Sequence, residues 1–264
     1  MRQSVALGDL NIAFERRGAG LPFLWGHGLT SSMDLEGELL NFNWVTIETH
    51  AEMVRYDARG HGASTLTPNL DHYSWANLAE DQLAFADALG IEKFISGGAS
   101  MGAATALHVA VSAPSRVLGL VLVIPPTGWE TREAQRALYL HRAQLIADGE
   151  IDAVVAASRQ VAPPEPFGNE WHDRIERNTR AADHQRMAHV LRGAATADFP
   201  MRSQIATILA PTLILAWSGD AGHPLSSAEQ LHELIASSEL VVASTASEFE
   251  TWSDQIATFV RSIC

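Results

Sequence analysis

Short apolar runs alternate with longer amphipathic stretches along this chain of 264 residues. Ser4–Leu7 and Asn11–Arg16 flank a Gly8-Asp9 turn, which predicts a β-hairpin. Leu21–Trp25, Met53–Tyr56, Lys93–Ser96, Thr212–Trp217 and Glu239–Ser244 predict further strands. Val117–Ile124 is apolar almost throughout, as in a strand covered on both faces, and Pro125-Pro126 stops it. Helical spacing runs from Trp75 to Leu89 and ends at Gly90. Further helices are predicted from Met101 to about Ser112 and from Trp252 to Ile263. Ser226 with Glu229 has the pattern of a capping box ahead of a helix reaching about Ser237. Residues 127–204 are mostly helical in pattern, with a break at Pro163-Pro164-Glu165-Pro166. Strands alternating with helices predict an α/β fold around a mostly parallel sheet.

Charge narrows the class of protein. The formal net charge is −13, so the chain lacks the basic face that nucleic acid requires. No basic amphipathic stretch suits an anionic membrane surface. The single cysteine, Cys264, excludes an intrachain disulfide and a cysteine metal cluster. The first 18 residues have no apolar core of the signal-peptide kind, and no apolar run is long enough for a bilayer. The expectation is a cytoplasmic enzyme of small molecules without metal or cofactor, with a homodimer left open.

The chemistry concentrates in Gly98-Ala99-Ser100-Met101-Gly102, which follows a strand and opens a helix. A G-x-S-x-G sequence in that context is a nucleophile elbow, a turn sharp enough to need small residues two before and two after the serine. The N-terminus of the following helix aims N–H groups at an anion beside Ser100. A second loop, His27-Gly28-Leu29, follows the strand Leu21–Trp25.

With the loop Tyr56-Asp57-Ala58-Arg59-Gly60-His61-Gly62 and with Gly219-Asp220, these features resemble the α/β-hydrolase superfamily over nearly the whole chain. The resemblance implies an eight-stranded, mostly parallel sheet with helices on both faces. It implies a core of residues 1–126 and 205–264 and a helical lid, 127–204, inserted after the sixth strand. It makes Ser100 the nucleophile, the N–H groups of Leu29 and Met101 the oxyanion donors, and Asp220 the acid of a triad. Asp57, Arg59 and His61 would brace the structure, and His27 would be a packed structural histidine.

The sequence departs from that family at one point. The triad histidine belongs just after the last strand, where this chain reads Ala243-Ser244-Thr245-Ala246-Ser247-Glu248-Phe249-Glu250. His223, three residues after Asp220, is the replacement candidate, because active sites of open α/β sheets lie beyond the carboxyl ends of the strands. Three alternatives stay open: a helix-start histidine without a proton role, a lid histidine swinging over the serine, and Glu248 as a desolvated base. The function expected is hydrolysis of a carboxylic ester or lactone through an acyl-enzyme. A lyase, a carbon–carbon hydrolase and a catalytically silent binding protein remain as rivals.

Overall fold

The computed structural model describes residues 2–263 apart from 41 and 169, with the side chains of 38 and 39 also left aside. Cys264 therefore lies outside the described residues. Eight strands form one sheet: β1 (Gln3–Leu7), β2 (Leu10–Arg17), β3 (Pro22–Gly26), β4 (Glu52–Tyr56), β5 (Phe94–Ala99), β6 (Val117–Val123), β7 (Thr212–Trp217) and β8 (Ser238–Ala243). Their spatial order is β1-β2-β4-β3-β5-β6-β7-β8. The pairings of β2 with β1 and β4 are antiparallel, and the rest are parallel.

Side-chain alternation on the central strands builds two cores. Leu120, Leu122, Ile214 and Ala216 face one layer, whereas Val121, Val123, Leu213, Leu215 and Trp217 face the other. This is why β6 and β7 are apolar on both sides. Burial of each large aliphatic side chain contributes roughly 1.5–3 kcal/mol.

Helices cover both faces. Between β3 and β4 lie α1 (Met33–Leu40) and α2 (Trp44–Glu48), neither of which the apolar pattern predicts. Next come α3 (Trp75–Ala88) and α4 (Met101–Ser112). Ser74 caps α3 by accepting from the N–H of Asn77, and Gly90, at φ +71°, ends it where Gly90 was expected to stop the helix. The segment between β6 and β7 holds α5 (Arg132–Ala147), α6 (Ile151–Arg159), α7 (Glu170–Ala181), α8 (His184–Ala194) and the short α9 (Arg202–Ile205). The proline-rich break falls between α6 and α7. After β7 come α10 (Leu225–Leu234), α11 (Ala246–Glu250) and α12 (Trp252–Ile263).

Two local expectations need correction. Helix α10 begins at Leu225 behind Pro224, so Ser226 lies inside it and does not cap it. The capping box of this region belongs instead to Thr245 and Glu248, at the start of α11. Strand β5 also runs past Ser96 to Ala99, because Gly97 and Gly98 pair with Val121 and Leu122 in register.

Among the described residues no helix is long and apolar enough to cross a membrane.

Candidate active site

Strand β5 ends where β3 and α4 pack so closely that only glycine fits. A Cβ on Gly98 or on Gly102 would overlap the carbonyl oxygen of Gly26. Between them the chain reverses at Ser100, held at φ +52° and ψ −107°. Such a conformation is costly for a residue with a side chain and persists only when its surroundings enforce it. Here Ser100 N–H donates to Val123 O (2.9 Å), and Ser100 O accepts from the N–H of Ala104 (3.0 Å). Thr30 and Ile124 also have positive φ, and both line the same cavity as Ser100.

The loop after β7 supplies the groups that face the serine. The Ser100 hydroxyl donates to His223 Nε2 at 2.8 Å, and His223 Nδ1–H donates to Asp220 Oδ2 at 2.7 Å. The carboxylate accepts only, so Nδ1 carries the ring proton and Nε2 presents its lone pair to the hydroxyl. Two further donors hold Asp220: the Trp217 indole N–H to Oδ2 (3.0 Å) and the Gly222 N–H to Oδ1 (2.8 Å). Burial raises the carboxyl's pKa, but the His223 ring and these donors outweigh it and hold the group at about 2. Trp217 lies in an aromatic cluster with Phe167, Trp171, Phe249 and Trp252. The proline-rich break contributes as well. Glu165 N–H donates to Ser218 O at 3.2 Å, and the Ser218 hydroxyl donates to the Glu165 carboxylate.

Met101 is the first residue of α4, directly after the serine. Leu29 sits in a turn closed by Ser31 N–H to Gly28 O (3.1 Å), and a Cβ on Gly28 would stand 3.8 Å from Ser100 Cβ. Among the described residues, neither the Leu29 nor the Met101 N–H donates to another group. Leu29 lines the serine's cavity, and Met101 adjoins Ser100 in the chain.

The remaining polar residues of the sequence reading have other occupations. Asp57 accepts from the N–H groups of Met33 (2.8 Å) and Ala63 (2.9 Å), and Arg59 pairs with both oxygens of Asp81. His27 Nδ1–H donates to Gly28 O while Nε2 accepts from Ala58 N–H. Burial lowers the pKa of His27; it also lowers that of His61, to about 3, with His27 contributing. His108 is bonded to Asp198 O, His172 to Val161 O and His184 to Thr179 O.

Glu248 does not fit the role of a desolvated base. It is exposed, and one oxygen accepts from the N–H groups of Ser244 (2.8 Å) and Thr245 (3.0 Å). Those bonds lower its pKa, the reverse of what a base at that position needs.

Five residues at the site went unnoticed in the sequence. Trp217 is the last residue of a predicted strand, next to the acid's loop. Gln135, Tyr139 and Arg142 line the cavity from α5 at the i, i+4, i+7 spacing of one helical face. Glu36 also lines it, buried, with the Trp25 indole donating to Oε2 at 2.6 Å. Burial pushes its carboxyl up to about 8, against the Trp25 and Gly28 donors. Among the described residues, no group of three or more His, Cys, Asp and Glu side chains is arranged to hold a metal ion.

A family model described as alpha/beta hydrolase fold matches residues 22–250. The chain belongs to that family. Its eight-stranded, mostly parallel sheet covered by helices is that of an α/β hydrolase, and it is an enzyme of the hydrolase type. Among curated relatives, RutD of Klebsiella pneumoniae (strain 342), named as a carbamate hydrolase, is 30% identical over 203 residues, covering 75% of this chain and 74% of that protein. The 3-oxoadipate enol-lactonase 1 of Acinetobacter baylyi is 30% identical over 211 residues, covering 78% and 76%. Among solved structures, a hydrolase from Pseudomonas aeruginosa PA01 superposes with a TM-score of 0.79 at 24% identity, covering 99% of this chain and 97% of that one. The enol-lactonase from Burkholderia xenovorans LB400 gives 0.78 at 18%, covering 99% of each chain. These structures share the fold with this α/β hydrolase.

Proposed function

We propose that this α/β hydrolase is a serine hydrolase that cleaves a carboxylic ester or lactone-like small molecule through an acyl-enzyme on Ser100. The observation that carries the reading is the continuous relay from the Ser100 hydroxyl through His223 to Asp220. In this mechanism His223 Nε2 takes the hydroxyl proton as Oγ attacks the carbonyl carbon. The N–H groups of Leu29 and Met101 receive the negative charge that builds on the carbonyl oxygen. Asp220 keeps the ring oriented and stabilises it while protonated. His223 then gives its proton to the leaving oxygen, and the acyl group stays on Ser100. Water, deprotonated by His223, attacks the ester so formed; Ser100 leaves with the proton, and the acid is released. Helices α5 to α8 cover the cavity as a lid. The names of the enol-lactonase and carbamate hydrolase relatives support this reading, since both substrate types present a carbonyl to the same attack.

The base therefore arrives from the loop after β7, not from the loop after β8. The order serine, acid, histidine along the chain is kept.

Labelling with a fluorophosphonate and turnover of an activated ester test the proposal. Wild type should label. Ser100→Ala should not, and His223→Ala should lose about 10⁴–10⁶-fold in kcat. Asp220→Asn should lose about 10³–10⁴-fold, since the wrong ring tautomer is then held. Unchanged labelling of His223→Ala would overturn the base assignment. A wild type that labels at no pH would overturn the serine mechanism.

A further inference from the structure

Arg132 of α5 is buried and Arg142 of the same helix is partly buried, and the fold treats them differently. Arg132 has an acceptor at each of its three nitrogens: Nε donates to Ala197 O (2.6 Å), Nη2 to Ala194 O (2.7 Å) and Nη1 to Thr127 Oγ1 (3.3 Å). Its guanidinium also lies 4.2 Å from the centre of the Trp75 ring. Among the described residues Arg142, nearly three turns later, makes one bond, from Nη2 to Thr179 Oγ1 at 3.3 Å. Its Nε is enclosed without an acceptor, and among the described residues Nη1 has none either.

Among the described residues no carboxylate pairs with Arg142. The acids of the inserted helices are taken elsewhere: Asp173 and Glu176 by Arg159, Asp152 and again Glu176 by Arg180, Asp183 by Arg186. Burial disfavours the Arg142 charge, and only Tyr139 works in the other direction. A guanidinium held in low dielectric without a counter-charge is costly unless something else supplies one.

Its position says what that is. Arg142 lines the cavity of about 220 Å³ that contains Ser100, together with Leu29, Tyr139 and His223. It also lines an outer lobe of about 240 Å³, mostly apolar, bounded by Leu138, Val154, Pro164 and Ile175. Among the described residues two carboxyl groups line these lobes. Asp220 is committed to His223, and Glu36 is held protonated at neutral pH by burial. An unpaired positive charge therefore faces the reacting centre of a chain whose net charge is −13.

We propose that Arg142 is a substrate-binding residue that pairs with a carboxylate on the substrate, so that the preferred substrates are small esters or lactones bearing a free carboxylate. Forked pairing of guanidinium with carboxylate fixes orientation as well as supplying affinity. The inference rests on the serine-hydrolase reading for its account of turnover, but not for its account of binding.

The experiment compares p-nitrophenyl hydrogen glutarate with p-nitrophenyl butyrate, in wild type, Arg142→Gln and Arg142→Lys. Wild type should favour the carboxylated ester in kcat/KM. The ratio of the two kcat/KM values should fall about 10- to 100-fold in Arg142→Gln, mainly through KM. Arg142→Lys should restore part of it, because the point charge returns without the fork. A wild type without preference, or a ratio unmoved in Arg142→Gln, would overturn the assignment while leaving Ser100 chemistry standing if butyrate is still cleaved. Failure of wild type to cleave either ester would instead sink the serine reading. Binding then decides the inference by itself. Calorimetry of glutarate on Ser100→Ala should show a Kd at least about tenfold tighter than on Ser100→Ala with Arg142→Gln. Equal affinities would overturn it.

Discussion

Glu36 is a carboxyl in the wrong dielectric for its charge. The Trp25 indole engages Oε2, and Oε1 has no partner. Its pKa rises from an ordinary 4.5 to about 8, so across that window the native state binds a proton that the unfolded chain has released. Native stability should therefore fall as pH rises from 4.5 towards 8. Glu36→Gln, which keeps the shape and carries no charge, should flatten that fall; thermal unfolding at pH 5, 7 and 8.5 measures it. Equal slopes in both proteins would remove the buried charge as the cause. Asp220 has the opposite sign. Its depressed pKa means that its contribution is present above 3.8 and is lost as pH falls towards about 2. Glu248, by contrast, serves α11. Glu248→Gln should leave ester turnover as it is, and a loss of turnover would restore Glu248 as a base.

At the scale of elements, the serine turn depends on β3, β5 and α4 approaching without side chains between them. Gly102→Ala places a methyl group against the Gly26 carbonyl oxygen, and neither backbone has room to move without opening the sheet. The expected cost is more than about 3 kcal/mol, read from denaturant unfolding, with loss of fluorophosphonate labelling. A variant of wild-type stability would mean that β3 yields. Arg132 ties the start of α5 to the end of α8 through the Ala194 and Ala197 carbonyls. Arg132→Met keeps bulk but strands these acceptors, and should cost about 1–3 kcal/mol by the same measurement. The loop after β7 is held from two sides, by the Trp217 indole and by Glu165 from the proline-rich break. Trp217→Phe, which removes one donor to Asp220, should lower kcat more than it raises KM.

Over the whole molecule the two sheet cores dominate, whereas the inserted helices have a small cluster of their own around Ala143, Ile146, Val154, Met187, Ala188 and Leu191. Free energies of local opening follow such differences in buried apolar contact. Hydrogen exchange should therefore be slowest in β5, β6 and β7 and faster in α6 and α7. Uniform protection across the chain would show that the insertion opens only with global unfolding.

The sequence by itself determined the sheet and singled out the turn at Ser100. Apolar periodicity is local, and Gly98, Gly102 and Gly90 announce turns that few other residues tolerate. It offered Asp220 through the family resemblance and His223 as one candidate base, with Glu248 and the lid histidines still open. Tertiary structure alone decided the rest. Whether His223 reaches Ser100 depends on two chain segments 123 positions apart meeting at 2.8 Å, which no local pattern encodes. Glu248 and Glu36 have the same side chain. One is solvated at a helix start and the other is buried beside Trp25, so their pKa values move in opposite directions. Likewise Arg132 and Arg142 share a helix, and only the packing around each shows which has an acceptor at every nitrogen and which has an enclosed Nε without one. Burial and partners are properties of the folded surroundings, and they turn identical residue types into different chemistry.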